Sequence, residues 1–233
     1  MDKIQNKLSK LTLNMCDKNL QLKINKLIES KLFINMIYKC FDKYIKYGSR
    51  SSKKVDILHN FIKNEIEKII SDQYSVKLEQ DIKSLNSSGK KRCDIVIYQN
   101  DKECVILPVK FIMSNYNQNK NNSWENLTGE LIHLKWANEN IKIIPINIIF
   151  NKIPYLDNTK KIKKFENITY NDIFKIMETL KNKNITYDNI NYILDVEQNC
   201  NINEQYNKCP HIIKFNINTQ YRTFNKIFSE IIQ

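Results

Sequence analysis

Apolar and polar positions alternate along this chain with periods that mark its elements before any chemistry is considered. Residues 1–47 read as helices, with Ile24, Leu27, Ile28, Phe33, Met36, Ile37, Cys40, Phe41 and Tyr44 near helical spacing. Gly48-Ser49 closes that segment, and Ser51-Ser52 can cap a helix over about 53–71. On that helix Val55, Leu58, Phe61, Ile62, Ile66 and Ile69 form one apolar arc. Residues 74–82 alternate as a strand. After the polar turn 84–91 come two β-branched runs, Arg92–Tyr98 and Cys104–Lys110, separated by Gln99–Glu103, which is the pattern of a β-hairpin. The second run is apolar without interruption from Val105 to Val109, as in a strand buried on both faces. Pro108 removes a ladder donor inside it and predicts a bulge or a local edge. A loop over 113–122 leads to a helix over about 123–138, where Asn122 and Glu125 fit an N-cap and its capping-box partner. Gly129 inside this helix suggests close backbone approach, and His133 reads as a packing residue. Residues 142–150 form another buried strand. Residues 169–180, capped by Thr169 or Asn171, and 187–198 read as helices, and a strand begins near 210 ahead of a final amphipathic segment. The elements from 53 to 150 run αβββαβ. The chain is thus an α/β protein with a helical N-terminal segment (1–47), a core (48–155) and an α+β C-terminal extension (156–233).

Composition adds a bias toward polyanions. The chain has 233 residues and a hydrophobic fraction of 42%, enough for a real core and too much for wholesale disorder. Its net charge is +12 and its pI about 9.3, which favours nucleic acid or an anionic surface as partner. All but three of the 37 basic residues are Lys, the exceptions being Arg50, Arg92 and Arg222. That usage, with abundant Asn and Ile, matches an AT-rich coding bias, so charge alone is weak support. The Lys160–Lys164 run reads as a solvated surface. The six cysteines show no C-x-x-C pairing. Cys200, Cys209 and His211 lack an evident fourth zinc ligand, so free thiols are expected. No signal peptide and no membrane-spanning stretch is evident, which points to an intracellular, cytoplasmic protein with no membrane partner.

The candidate chemistry lies in the hairpin. Asp94 opens its first strand and Lys110 lies near the end of its second. Alternation places Asp94, Val96 and Tyr98 on one face, and Ile106, Pro108 and Lys110 on one face of the partner strand. A carboxylate and an ammonium sharing a pocket can hold a hard divalent cation and orient a water beside it. Glu65 falls inside the apolar arc of the 53–71 helix, whereas Glu67 points to the opposite side. A buried carboxylate is costly unless paired or bound to a metal, so Glu65 either edges the stripe beside a lysine or faces the Asp94–Lys110 pocket. Glu130 is either a solvent-facing charge or a group near that pocket.

Asp94 and Lys110 resemble the PD-(D/E)XK nuclease superfamily, whose pattern is an acid, a strand, then acid-x-Lys. Pro108 stands where the second acid belongs. The run Val-Lys-Phe-Ile-Met-Ser-Asn-Tyr (109–116), with Asn-Asn-Ser-Trp-Glu-Asn-Leu-Thr-Gly-Glu (121–130), is similar to type II restriction endonuclease-like proteins. The resemblance implies a restriction-endonuclease-like core with a mixed sheet and a Mg²⁺-dependent DNA endonuclease, with Mn²⁺ as a substitute. It implies Asp94 and the backbone carbonyl of Val109 as metal ligands, and Lys110 as the group that positions water. Glu65, with Glu130 second, would replace the acid missing at 108. Lys90, Lys91, Arg92, Asn117, Gln118 and Arg222 are the candidate DNA contacts, the last in an extension that could serve DNA contact or dimerisation. Cleavage at a palindrome would call for a homodimer. The alternative is a catalytically inactive DNA-binding or scaffold protein that retains the fold, for which Pro108 is the best sign.

Overall fold

The computed structural model describes residues 31–216 except Arg50, Ile69 and Tyr170. Residues 1–30 and Arg222, with the rest of the segment after Asn216, lie outside the described residues. Four helices are described: α1 (Lys31–Tyr47), α2 (Lys53–Glu67), α3 (Tyr116–Ala137) and α4 (Asn171–Asn182). The strands are β1 (Tyr74–Lys83), β2 (Lys90–Gln99), β3 (Lys102–Leu107), β4 (Val109–Ile112), β5 (Lys142–Ile143), β6 (Ile146–Phe150), β7 (Lys152–Leu156), β8 (Ile162–Asn167), β9 (Ile190–Glu197) and β10 (His211–Asn216). This is a mixed α/β architecture, with parallel and antiparallel pairs in the same sheets.

Two four-stranded sheets, ordered β1-β2-β3-β5 and β10-β9-β6-β4, meet at a pair of prolines. β3 runs into β4 through Pro108, and β5 runs into β6 past Pro145. The parallel register is the same on both sides of the break, pairing Val105 with Lys142 before it and Val109 with Ile146 after it. Ile144 N–H donates to the Ile106 carbonyl at 2.9 Å, and Ile146 N–H to the Pro108 carbonyl at 2.8 Å. The prolines therefore stand opposite each other and no bulge forms there. On the other flank, pairing between β2 and β3 ends at Ile95–Leu107, so β4 is an edge of its sheet. The expected local edge is present, and it opens one step from Asp94.

Local chemistry explains where elements depart from their sequence expectation. The β2–β3 turn is two residues, Asn100 (φ 48°) and Asp101 (φ 63°), between the paired Gln99 and Lys102. Positive φ at both positions matches the twist of the flanking strands, and Asn and Asp tolerate it. The five-residue turn Gln99–Glu103 is thus too long. α3 begins at Tyr116, and its N-cap is Asn115 (φ 53°), not Asn122. Asn115 Oδ1 accepts the Leu156 N–H at 2.6 Å, and Glu166 accepts the Asn117 N–H at 3.1 Å. These contacts with β7 and β8 hold an Asn-rich turn helical against its weak propensity. The expected close approach at Gly129 is absent, since a Cβ there would meet nothing within 4 Å.

Residues 187–198 are not a helix. They contain β9, which pairs parallel to β6 and antiparallel to β10. Ile190, Tyr192, Ile193, Leu194 and Val196 are buried there, and hydrogen-bonding partners on both sides outweigh any helical spacing. One core accordingly crosses both expected boundaries. Phe33 of α1 lies 5.9 Å from Tyr192 of β9, and Phe41 packs edge-on against Tyr206 at 5.1 Å.

Candidate functional site

Because Pro108 ends the pairing with β2, the Val109 N–H loses a ladder acceptor on that side. The Asp94 carboxylate takes its place, accepting that N–H on Oδ2 at 2.7 Å. Directly across β1 stands Glu79, between the pairs Leu78–Ile95 and Gln80–Cys93. Glu79 has φ 52°, a left-handed conformation costing a non-glycine residue about 1–2 kcal/mol. The neighbouring structure holds it there: Oε1 lies 3.2 Å from His59 Nδ1, and Oε2 accepts Arg92 Nε at 3.0 Å. His59 comes from α2 and is 3% exposed. A carboxylate only accepts, so Nδ1 carries the proton facing Glu79, and in the neutral ring Nε2 keeps its lone pair. That Nε2 is buried with no hydrogen-bond partner.

His59, Glu79 and Asp94 each offer one donor atom within 4.8 Å of the other two. Burial raises the Asp94 pKa above the usual carboxylate value. The Val109 N–H and His59 oppose that rise, while Glu79 and Glu130 add to it. Lys110, on β4, is also mostly withdrawn from water. Burial lowers its pKa, with Glu130 and Asp94 holding it up. Its Nζ donates to the Ser123 carbonyl at 3.0 Å and lies 5.8 Å from the centre of the Trp124 ring. Glu130 on α3 binds Lys91 at 2.6 Å.

The donor set fits a divalent cation. Two carboxylates supply oxygen and the His59 imidazole supplies a third donor, on a ring whose Nε2 is buried without a partner, which structural cores rarely leave so. Mg²⁺ takes oxygen ligands and water, whereas imidazole suits first-row transition ions, so these residues fit Mn²⁺ better than the expected Mg²⁺.

The structure brings Asp94, Lys110, Val109 and Glu130 into one neighbourhood, with Lys91 and Arg92 at its rim. Val109 meets it through the N–H that fixes Asp94. Glu65 does not reach it. Its carboxylate pairs with Lys68, the lysine partner of the simpler expectation, and the helix contributes His59 instead. Six residues separate His59 from Glu65, which turns the latter about 120° away around the helix. Arg92 and Lys91 are engaged by Glu79 and Glu130. Lys90 is exposed at the start of β2, and Asn117 and Gln118 are exposed on the first turn of α3. The residues that sequence reasoning missed are His59 and Glu79. The available signal was a histidine beside Leu58 on an otherwise apolar arc. Cys200, Cys209 and His211 form no ligand group among the described residues, and both thiols are free. No helix among those residues is long and apolar enough to cross a membrane. Comparison with family models, curated proteins and solved structures finds no match to this chain.

Proposed function

We propose that this chain is a metal-dependent endonuclease hydrolysing DNA phosphodiester bonds, built on a restriction-endonuclease-like core. One observation carries the reading: His59, Glu79 and Asp94 hold donor atoms within 4.8 Å of one another, and Asp94 of that set is close enough to the part-buried Lys110 ammonium for their charges to interact. The order α2, β1, β2, β3/β4, α3, β5/β6 and the net charge of +12 support it. A divalent ion held there would neutralise phosphate charge and lower the pKa of an attacking water. The chain's own residues have separate tasks in this reading. Val109 N–H fixes one oxygen of Asp94 and leaves the other for the ion. Glu79 orients the imidazole, and Arg92 holds Glu79. Lys110, anchored on the Ser123 carbonyl, places its charge where the phosphate becomes more negative in the transition state. Glu130 and Asp94 keep that ammonium protonated against its burial. Surface lysines supply phosphate contacts, and a palindromic target would require a homodimer.

The test is cleavage of plasmid DNA by the full chain in Mn²⁺ and in Mg²⁺, beside Lys110→Ala. The variant should cut about 10²–10³-fold more slowly while its DNA affinity in Ca²⁺ changes little. Equal rates would overturn the role of Lys110. The catalytically inactive scaffold reading has its own support, because the Arg92 guanidinium already occupies one oxygen of Glu79. A parent protein that binds DNA but cuts it with no divalent ion decides for that reading.

A further inference from the structure

Lys110 has a set of neighbours that the metal cluster does not use. In the parallel register of β4, β6 and β9 it stands in one row with Asn147 and Asn191. Side chains in such a row share a face of the sheet, and the next row on that face is Ile112, Ile149 and Ile193. Both amides are only 2% exposed. They hold each other in one direction. Asn191 Nδ2 donates to Asn189 Oδ1 at 2.6 Å, and Asn147 Nδ2 donates to Asn191 Oδ1 at 2.7 Å. A planar amide that sends its nitrogen toward β9 sends its oxygen the other way, toward β4, where Lys110 is the residue in register. That oxygen, Asn147 Oδ1, is buried with no hydrogen-bond partner. Turning the whole row over would set an Asn147 N–H against an ammonium that can only donate, so the oxygen belongs on the lysine side. A buried orphan acceptor costs stability, and an apolar residue at 147 would continue the isoleucine face without that cost.

We infer that Asn147 is a positioning residue for Lys110, its Oδ1 serving as a second acceptor for the ammonium beside the Ser123 carbonyl. The inference rests on the nuclease reading for what the ammonium does, and on the register and the orphaned oxygen for the contact itself. The ammonium has three N–H donors and gives one to the Ser123 carbonyl at 3.0 Å. Neighbouring strands lie about 4.8 Å apart, so rotation about the outer bonds of the lysine stem brings Nζ to Asn147 with the backbone unmoved. With one proton held by α3 and one by β6, the third has a single direction left. That direction fixes where the charge meets a phosphate oxygen. Asn191 and Asn189 keep the Asn147 oxygen turned toward β4, and they act on Lys110 only through it.

The experiment is a pair of double-mutant cycles in the full chain, with Asn147→Leu and Asn147→Asp each made beside Lys110 and beside Lys110→Met. Methionine keeps an unbranched stem and removes the charge. Asn147→Asp keeps an oxygen toward Lys110, and its bond to Asn191 returns when the Asn191 and Asn189 amides turn over. Urea unfolding at pH 7 reads the contact. Asn147→Leu should lower the folding equilibrium constant about tenfold more beside Lys110 than beside Lys110→Met. Asn147→Asp should cost about a hundredfold more beside Lys110→Met, where its carboxylate has lost the cation in its row. If one variant at 147 fails to fold, the other completes its own cycle. Additive effects on stability would overturn the inference. Plasmid cleavage in Mn²⁺ reads the use made of the contact. Asn147→Leu should lower kcat about tenfold with DNA affinity in Ca²⁺ unchanged, and Asn147→Asp should restore most of that loss. Neither should lose anything further beside Lys110→Met. A kcat loss that persists in full beside Lys110→Met would show that the amides serve only the sheet. A parent that cuts nothing but shows the coupled stability keeps the contact and removes the nuclease reading. A parent that cuts, with additive stability, does the reverse.

Discussion

Lys110 stands between two regions of opposite charge. Toward β1 and β2 are Glu79 and Asp94 with the His59 imidazole, a set that gains from a cation. Toward the start of α3 are Lys54 and Lys120, on a cavity wall that holds no carboxylate among the described residues. α2 serves both, presenting His59 to the first and Lys54 to the second. Lys110 links the two, since Asp94 and Glu130 on the first side hold its ammonium protonated against burial. A phosphodiester chain with a divalent ion would meet both at once.

The largest effect is expected from removing the part-buried acid Asp94. Asp94→Asn should reduce cleavage at least about 10³-fold, since the ion loses its carboxylate. Its effect on the metal-free fold should have the opposite sign. Burial raises the folded-state pKa of Asp94 above its unfolded value, so the fold prefers the protonated form. The stability linked to that proton is fully present below the unfolded pKa and is lost as pH rises through the folded pKa. Near pH 7 the ionised carboxylate therefore opposes folding, whereas Asn still accepts the Val109 N–H and carries no charge. Asp94→Asn should melt higher than the parent in EDTA near pH 7. The advantage should shrink as pH falls through the raised pKa of Asp94, and added Mn²⁺ should stabilise only the parent. A variant that melts lower at every pH would show that Asp94 is a structural anion.

How far this site can be read from sequence depends on where each charge sits. Asp94 and Lys110 were legible because each interrupts a β-branched strand, where a charge has no packing purpose. His59 was not, because a histidine bordering an apolar helical arc is ordinarily a core residue. Only the orphaned Nε2 sets it apart, and that is a fact of the packed molecule. Glu79 was hidden by alternation, sitting in the polar phase of β1 like any solvent-facing acid. The lysine cavity was invisible for another reason. Lys54, Lys110 and Lys120 are far apart in the chain and belong to a composition in which lysine is common. The fold followed the same division. The β2–β3 hairpin and α2 are local patterns and were legible, whereas β9 exists because β6 and β10 hold it.

A smaller effect sharpens the assignment of the cation. His59→Ala removes the nitrogen donor and should shift metal preference more than it removes metal binding. Imidazole favours Mn²⁺ over Mg²⁺, so Mn²⁺ affinity should fall about 10–100-fold while Mg²⁺ affinity falls less. Paramagnetic resonance of free Mn²⁺ and competition by Mg²⁺ measure the two. Glu79→Gln keeps a hydrogen-bond acceptor for Nδ1 and should lie between the parent and His59→Ala. Equal losses for the two ions would place His59 outside the metal's coordination.

The smallest expected effect is on the same helix, at Glu65. Its carboxylate is bound by Lys68 one turn along, and it lies about 120° around the helix from His59. An ion pair of this spacing contributes only about 0.5 kcal/mol or less, so Glu65→Gln should leave the melting temperature nearly unchanged. Cleavage rate and Mn²⁺ affinity should also match the parent. The test discriminates because the two candidate positions make opposite claims on one helix. If α2 supplied its carboxylate to the metal, Glu65→Gln would fall as far as Asp94→Asn, and His59→Ala would behave as a simple packing defect. If it supplies the imidazole, the large loss follows His59 and Glu65→Gln is silent. The place of His59 beside Glu79 and Asp94 and the satisfied carboxylate of Glu65 support the second outcome.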